Sequence, residues 1–437
     1  MLENDNLIPE IESRLPGELL DFIQQAGRLA DSRREKLYLV GGVVRDLLLD
    51  KTNFDIDLVV EGDAISLVRS LVSDEAGKIT TYKRFNTAKL KWRNWSIDLA
   101  SARRESYTRP GALPVVEPGA LYDDLFRRDF TINAMAIGLN PEGYGLLIDP
   151  YGGQKDLRGR KIRILHPKSF LDDSTRIWRG IRYEQRLDFQ IEPETLHLLK
   201  RDIPLLDTIS GDRIRYELEC ILQEELPEKV FKRAEELGVL VKLNPSLKGD
   251  GWLAEKFQQT REVSLPSRPP VGLYLTLLAY LLDNEPRERL SSYLRLTKTL
   301  AKTLRDTGGI KARLQQLAHP GLKPSAVYRL LDGYSIPAVT TSLIATDSPV
   351  AKQHIGLFLD KLQLIKTILT GNDLIKMGIN PGPRIKEILD KLLDARLDGR
   401  VKTREDEEGL VRGAAAAGAL WNQENSGRTT EVCAANG

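Results

Sequence analysis

Two aspartates one residue apart in an apolar run, Asp55 and Asp57 in DIDLVV, are the first residues of this chain that could do chemistry. Along a strand, residues i and i+2 face the same way, so the two carboxylates stand side by side. Like charges that close repel, and burying them among Ile56, Leu58, Val59 and Val60 adds a desolvation cost. A divalent cation held by hard oxygen donors answers both. Upstream, LYLVGGVVRD offers Gly41 and Gly42 as a turn whose backbone amides approach a phosphate without side-chain obstruction, with Arg45, in the helix that follows, expected to support the phosphates as well. Together these parts suit Mg²⁺-assisted attack on a nucleoside triphosphate, with two metals holding the attacking and leaving oxygens. Asp98 in WSIDLA is flanked by Ile97 and Leu99 as Asp57 is by Ile56 and Leu58, which makes it the candidate third carboxylate. The alternatives are that Asp55 caps a turn and that Asp98 pairs with a surface lysine.

Such a site needs strands to carry it. Residues 37–165 interleave short β-rich runs (LYLV, IDLVV, AKLKW, WSIDLA, AMAIGL, GLLIDP) with helix-period stretches, the pattern of a compact mixed domain. From about residue 170, apolar residues recur at helical spacing between SLPSRPP, HPGLKP and INPGP. The fold class is α+β: a mixed head, then a long helical body. At 437 residues the chain exceeds one ordinary core and divides into several domains. Lys plus Arg number 64 against 62 Asp plus Glu, so any basic surface is local. One such excess lies between Lys155 and Arg186, with ten Lys or Arg against four Asp or Glu. Cys220 and Cys433 are the only cysteines, which points to a reducing, cytoplasmic setting rather than a disulfide framework. The acidic, proline-interrupted start is unlike a signal peptide, and no apolar run approaches the about 18 residues that span a bilayer. His166 and His354 lack the ligand spacing of a zinc site.

The stretch GGVVRDLLL…DIDLVVEGD resembles the head signature of class II tRNA nucleotidyltransferases and bacterial poly(A) polymerases, in the nucleotidyltransferase β superfamily. DLFRRDFTINAMA, DPYGGQKDLRGRKIRIL, SFLDDSTRIWRGIRYEQRLDFQIEPET and SGDRIRYELECIL follow in family order, and GNDLIKMGINPGPRIKEILDKLLDARLDG is similar to the family's C-terminal helical segment. The resemblance implies an N-terminal segment (1–34), a nucleotidyltransferase head with a small mixed sheet (35–168), and an elongated all-α neck (169–225), body (226–330) and tail (331–410), with 411–437 read as disordered. It also implies a template-independent enzyme that adds CCA, or only its terminal A, to tRNA from CTP and ATP. The partners are then the tRNA acceptor stem and elbow and, for A addition alone, a separate CC-adding enzyme. Poly(A) polymerase, CC-adding enzyme and noncatalytic RNA-binding protein are the alternatives.

Without a template the protein must read the incoming base itself. Cytosine and adenine both present an amino donor beside a ring-nitrogen acceptor, so a carboxylate and a guanidinium together accept them and reject uracil and guanine. Asp173 and Arg176, three apart on one helical face, are suited to this, and unpaired buried groups make the rejection strong. By resemblance Asp172, Asp173 and Arg176 match the base-reading motif, with Asp172 where glutamate is common, and Arg179 joins the nucleotide site. Arg128, Asp129 and Asn133 fall near sugar and phosphates or in domain coupling, while Asp129 could equally cap a helix or pair with an arginine. Arg182 and Arg186 could simply form a salt-bridged helix face, Glu217 reads as structural, and Asp212, Arg213 and Arg215 could brace the base-reading helix. The stretch between Asp98 and Arg127 reads as a mobile loop. Its wording RRESY…PGALP, like RYEQRLDF further on, is closer to A-adding enzymes, which leaves CCA and terminal A addition both open.

Overall fold

A computed structural model describes residues 6–72 and 77–416. The described residues divide into two units, the first running to Ala254 with Tyr293–Arg295, the second comprising Glu255–Ser292 and Leu296 onward.

In the first unit the strands are β1 (Lys36–Val40), β2 (Asp55–Glu61), β3 (Gly77–Tyr82), β4 (Thr87–Trp92), β5 (Trp95–Ser101), β6 (Arg103–Ser106), β7 (Val115–Pro118), β8 (Ala136–Gly138), β9 (Leu147–Ile148), β10 (Lys161–Ile162) and β11 (Gln190–Ile191). Its helices are α1 (Ile8–Arg14), α2 (Gly17–Ser32), α3 (Gly42–Leu48), α4 (Ala64–Leu71), α5 (Leu121–Phe126), α6 (Gly153–Arg158), α7 (Ser169–Asp172), α8 (Thr175–Leu187), α9 (Pro193–Asp202), α10 (Gly211–Leu222) and α11 (Pro227–Glu236). Seven strands form one sheet in the order β3-β4-β5-β2-β1-β8-β9. Within it β2 and β5 run parallel, and the other neighbours are antiparallel.

Period-two alternation sorts the strand residues by face. Leu37, Leu39, Ile56, Leu58, Val60, Ile97 and Leu99 belong to one core with Ile11, Leu19, Ile23 and Leu67 from α1, α2 and α4. Tyr38, Val40 and Val59 face the other way, against Leu121 and Leu125 of α5. Asp55 and Asp57 continue the row of Val59 and so emerge on this second face, at the strand's N-terminal end. The residues read as a separate N-terminal segment, 1–34, thus supply α1 and α2 to the packing of the head. The stretch after Asp98, expected as a mobile loop, is instead the hairpin β6–β7 and the helix α5. Its apolar and charged side chains are used locally, which proline and glycine content alone does not reveal.

In the second unit, Ile310, Leu317, Leu331, Val339, Ile355 and Phe358 form one core, and Leu369, Leu374, Ile388, Leu392 and Val411 a smaller one. The smaller core is closed by Glu407, fully buried, which accepts from the backbone of Ile368 and Leu369 and pairs with Arg396. The helix Arg404–Ala416 that carries Glu407 runs past the boundary read at residue 410, while residues 417–437, read as disordered, lie outside the described residues. Among the described residues no helix is long and apolar enough to cross a membrane.

Gly27 shows how tightly α2 meets the sheet. A Cβ there would sit 1.9 Å from the carbonyl oxygen of Leu139, so only glycine lets the helix approach. Gly27→Ala is expected to destabilise the protein by about 1–3 kcal/mol, read by urea denaturation; unchanged stability would show that this contact is not constraining.

Candidate active site

The register of the sheet builds the carboxylate site. Parallel pairing of β2 with β5 sets Asp57 beside Asp98, and antiparallel pairing of β4 with β5 sets Lys89 beside Asp98. Lys89 Nζ donates to Asp98 Oδ2 at 3.1 Å, the lysine-paired alternative foreseen for Asp98. Both side chains are about 40% exposed, so this pair is weak and readily displaced. Among the described residues, no hydrogen bond or ion pair reaches the carboxylates of Asp55 or Asp57. Burial pushes Asp57 up to about 6, against the pull of Arg128, and Asp55 and Asp98 add to the rise. As they stand, no three His, Cys, Asp or Glu among the described residues form a ready metal cage. Asp55 and Asp57 nevertheless fit Mg²⁺, because they are hard oxygen donors on one face that no ion pair among the described residues engages.

Gly41, at the head of α3, has φ +80°, and a Cβ there would lie 2.8 Å from Arg128 Nη1 and 3.4 Å from Asp57 Oδ2. Its missing side chain keeps open the space between an arginine and a carboxylate. Gly42 follows and lines the same cleft.

Arg45 lines the cleft but is turned inward, contrary to the role of phosphate support. It is 2% exposed, forks onto Asp46 at 2.8 and 2.9 Å, and donates to Asn133 Oδ1 at 2.7 Å. Asp46 in turn accepts from Asn53, whose Oδ1 accepts the backbone N–H of Asp55 at 2.9 Å. On the other side Asn133 donates to Asp129, and Arg179 of α8 donates to Asp129 at 2.9 and 2.5 Å. Burial alone would raise Asp129, but Arg179 and the hydrogen bond from Asn133 hold it at about 2. Asp129 is therefore an arginine-pairing residue. Arg128 is held by the fully buried Asp124 at 3.1 Å, which also holds Arg127 at 2.7 Å.

At the other end of the cleft Asp173 and Arg176 come together, but not on one helical face. Asp173 lies between α7 and α8, extended at φ −144°, ψ 99°, and Oδ1 takes the hydrogen bonds of Thr175 and Arg213. Among the described residues its Oδ2 takes no hydrogen bond. Arg176 gives Nη1 to Ser169 and Nη2 to the carbonyl of Arg127. Arg182 pairs with Glu224 at 3.1 Å and Arg186 approaches it at 3.9 Å, so both belong to a salt-bridged face. Glu217, buried, sits 3.6 Å from Arg179, and Arg213 braces Asp173.

Asp55, Asp57, Asp98, Arg128, Asn133, Arg179, Asp173 and Arg176 all line one cleft of about 1030 Å³, while Asp46, Asp124 and Glu224 act from behind it. Asp172 does not reach it. It faces a second, smaller cavity, with its Oδ2 3.7 Å from His166 Nε2. Sequence reasoning missed Asp124, Asn53, Glu105, Tyr107 and Tyr183. Asp124 was findable, since it precedes Arg127 and Arg128 at helical spacing in DLFRRD. Tyr183 sits one turn after Arg179, and the guanidinium groups of Arg45, Arg179 and Arg182 lie 5.3, 5.7 and 4.9 Å from its ring centre. Nothing local announced Glu105 and Tyr107, which the hairpin brings in from a distance.

Two family descriptions match this chain: Poly A polymerase head domain over residues 37–163, and probable RNA and SrmB-binding site of polymerase A over 188–250. The A-adding tRNA nucleotidyltransferase of Geobacter sulfurreducens is 35% identical over 418 residues, covering 90% of this chain but 47% of that protein. The chain thus spans about half the length of that relative. The A-adding tRNA nucleotidyltransferase of Halalkalibacterium halodurans is 33% identical over 413 residues, covering 92% of this chain and 94% of the other. The solved structure of the Thermotoga maritima CCA-adding enzyme with tRNA superposes with a TM-score of 0.74 at 32% identity, over 93% of this chain and 98% of that one. The chain belongs to the tRNA nucleotidyltransferase family.

The charge on Asp57 has a measurable cost. Its folded value of about 6 lies above the unfolded value of about 3.9, so the folded chain binds the proton more tightly and stability falls as pH rises between the two. Asp57→Asn is expected to raise Tm by roughly 2–4 °C above pH 6 without metal, an advantage that fades towards pH 4. A variant equally or less stable at every pH would contradict the unrelieved charge.

Proposed function

We propose that this chain adds nucleotides to the 3′ end of tRNA without a template. The tRNA 3′-hydroxyl attacks the α-phosphate of a nucleoside triphosphate in line, and pyrophosphate leaves. The observation that supports this reading best is the cleft itself. At one end two carboxylates lack any partner, and at the other a carboxylate keeps one oxygen free beside an arginine.

Asp55 and Asp57 would hold Mg²⁺, with Asp98 near them. Bound there, the cation makes the hydroxyl a better nucleophile and neutralises charge on the leaving oxygen. Gly41 leaves room for the triphosphate beside Arg128. Asn133 and Asp129 line the same cleft and would lie near the sugar. Asp173 Oδ2 accepts from an exocyclic amino group, and Arg176 has its Nε–H left for the neighbouring ring nitrogen. Uracil and guanine set a carbonyl against the carboxylate and are rejected. The work is done in the cytoplasm, where tRNA and both triphosphates are at hand.

The finer reading is addition of the terminal A to tRNA that a separate CC-adding enzyme has already extended. Its support is the A-adding identity of both curated relatives together with the wording of RRESY and RYEQRLDF. Three versions of one tRNA, ending before CCA, after C and after CC, are incubated with Mg²⁺ and CTP, ATP or both, and sized at nucleotide resolution. One A on the CC-ended tRNA alone is expected. Growth of the shortest substrate to CCA would replace the finer reading with full CCA addition. Long tails on unstructured RNA would make the protein a poly(A) polymerase, and tRNA binding without incorporation a noncatalytic one.

A further inference from the structure

The second cavity, of about 460 Å³, has the dimensions of a single nucleotide and shares Glu105, Tyr107, Arg127 and Arg176 with the main cleft. Its lining is of mixed chemistry. Phe126, 44% exposed, has its ring centre 4.8 Å from that of His166 at a tilt of 30°, which offers a stacked aromatic surface to a further planar ring. Lys168 also lines the cavity and offers a cation for a phosphate, while Arg104 there is paired with Asp123 at 3.3 Å. The carboxylate of Asp172 lines the same cavity, and its 3.7 Å separation from His166 Nε2 is too long for a hydrogen bond. Burial holds His166 below its ordinary value, while burial raises Asp172 against the pull of His166, Arg176 and Lys168.

Asp172 and Asp173 are thus divided between two cavities. Asp172 ends α7 and Asp173 is extended, so the two neighbours diverge, while Arg176 lines both spaces. One cavity holds the free oxygen of Asp173 and the other holds Asp172. A carboxylate beside a stacking surface and a lysine accepts an amino group on a planar heterocycle that carries a phosphate.

We infer that this second cavity binds a cytosine nucleotide of the acceptor's own 3′ end, with Asp172 accepting from its amino group and Phe126 stacking on its ring. The inference rests on the tRNA reading above and deepens it. A protein that adds one A after CC must recognise that the chain already ends in cytosine, and a site adjoining the base-reading cleft allows both bases to be read at once. Uracil sets a carbonyl against Asp172 and leaves the carboxylate unpaired, so it is disfavoured.

The test uses the full chain and its Asp172→Asn and Phe126→Ala variants. Single-turnover A addition is measured on tRNA ending in CC, in CU, and in C followed by 2-pyrimidinone, which lacks the amino group. Wild type is expected to favour the CC end by at least about tenfold over either of the others. Asp172→Asn should bring that preference close to one with the KM for ATP within twofold, and Phe126→Ala should raise the KM for CC-ended tRNA. Equal use of the three ends by wild type, or an undiminished preference in Asp172→Asn, would overturn the inference. Calorimetric binding of CpC, UpU and CTP decides the same point even if the chain extends no tRNA, an outcome that would sink the tRNA reading alone. CpC binding that is stronger than UpU and lost in Asp172→Asn supports the site. Equal binding of the two dinucleotides, binding unaffected by the substitution, or CTP held at this site more tightly than CpC overturns it.

Discussion

Two carboxylates that share a face, with no ion pair to either among the described residues and only the more distant pull of Arg128 and Lys89 on Asp57, set the terms for this structure. Asp55 and Asp57 extend the row of Val59 along β2, and the parallel partner strand sets Asp98 alongside. The sheet pays for that placement with its other face, where Leu37, Leu39, Ile56, Leu58, Val60, Ile97 and Leu99 are nearly inaccessible to water. At roughly 1.5–3 kcal/mol for each large side chain, that core outweighs the strain of a few unrelieved charges. Lys89 could have quenched the site. Instead it binds only the outermost carboxylate, in a pair exposed enough to open.

Where the charges are positive, the protein satisfies them internally. Arg45 is enclosed by Asp46 and Asn133, Arg127 and Arg128 by Asp124, Arg179 by Asp129, and Arg182 by Glu224. Breaking one such buried pair strands the other charge, which costs far more than the pair contributes. These pairs therefore act as fixed joints. The series Asn53, Asp46, Arg45, Asn133, Asp129 and Arg179 runs without a gap from the backbone of Asp55 to α8, so the strand that carries the carboxylates and the helix beside the base-reading residues are held in one hydrogen-bonded framework. Replacing Asp46 or Asp129 by a neutral residue removes the carboxylate that Arg45 or Arg179 bonds most closely.

The sequence made the strand alternation, the carboxylate pair and the glycine turn legible because each rests on a local period or a local backbone requirement. Asp57 and Gly41 could be named on those grounds, and Arg179 only through the family resemblance. What escaped was set by distant partners. Arg45 looked like a phosphate ligand because its spacing from the glycines is right, yet Asp46, beside it in sequence, and Asn133, far from it, turn it inward. Asp172 and Asp173 look equivalent on the page, and only the end of α7 separates them into different cavities. The hairpin carrying Glu105 and Tyr107 was hidden by a composition rich in glycine and proline, which signals turns but does not say what they join.

The central claim, that Asp57 is a raised, unpaired carboxylate awaiting a cation, is tested most directly by Mn²⁺ binding followed by electron paramagnetic resonance from pH 5 to 8. Below about 6 a proton competes for the same oxygens, so affinity should rise about tenfold per pH unit and then level off, and Asp57→Asn should abolish the tight site. Binding that is independent of pH across this range, or that survives in Asp57→Asn, would contradict the account.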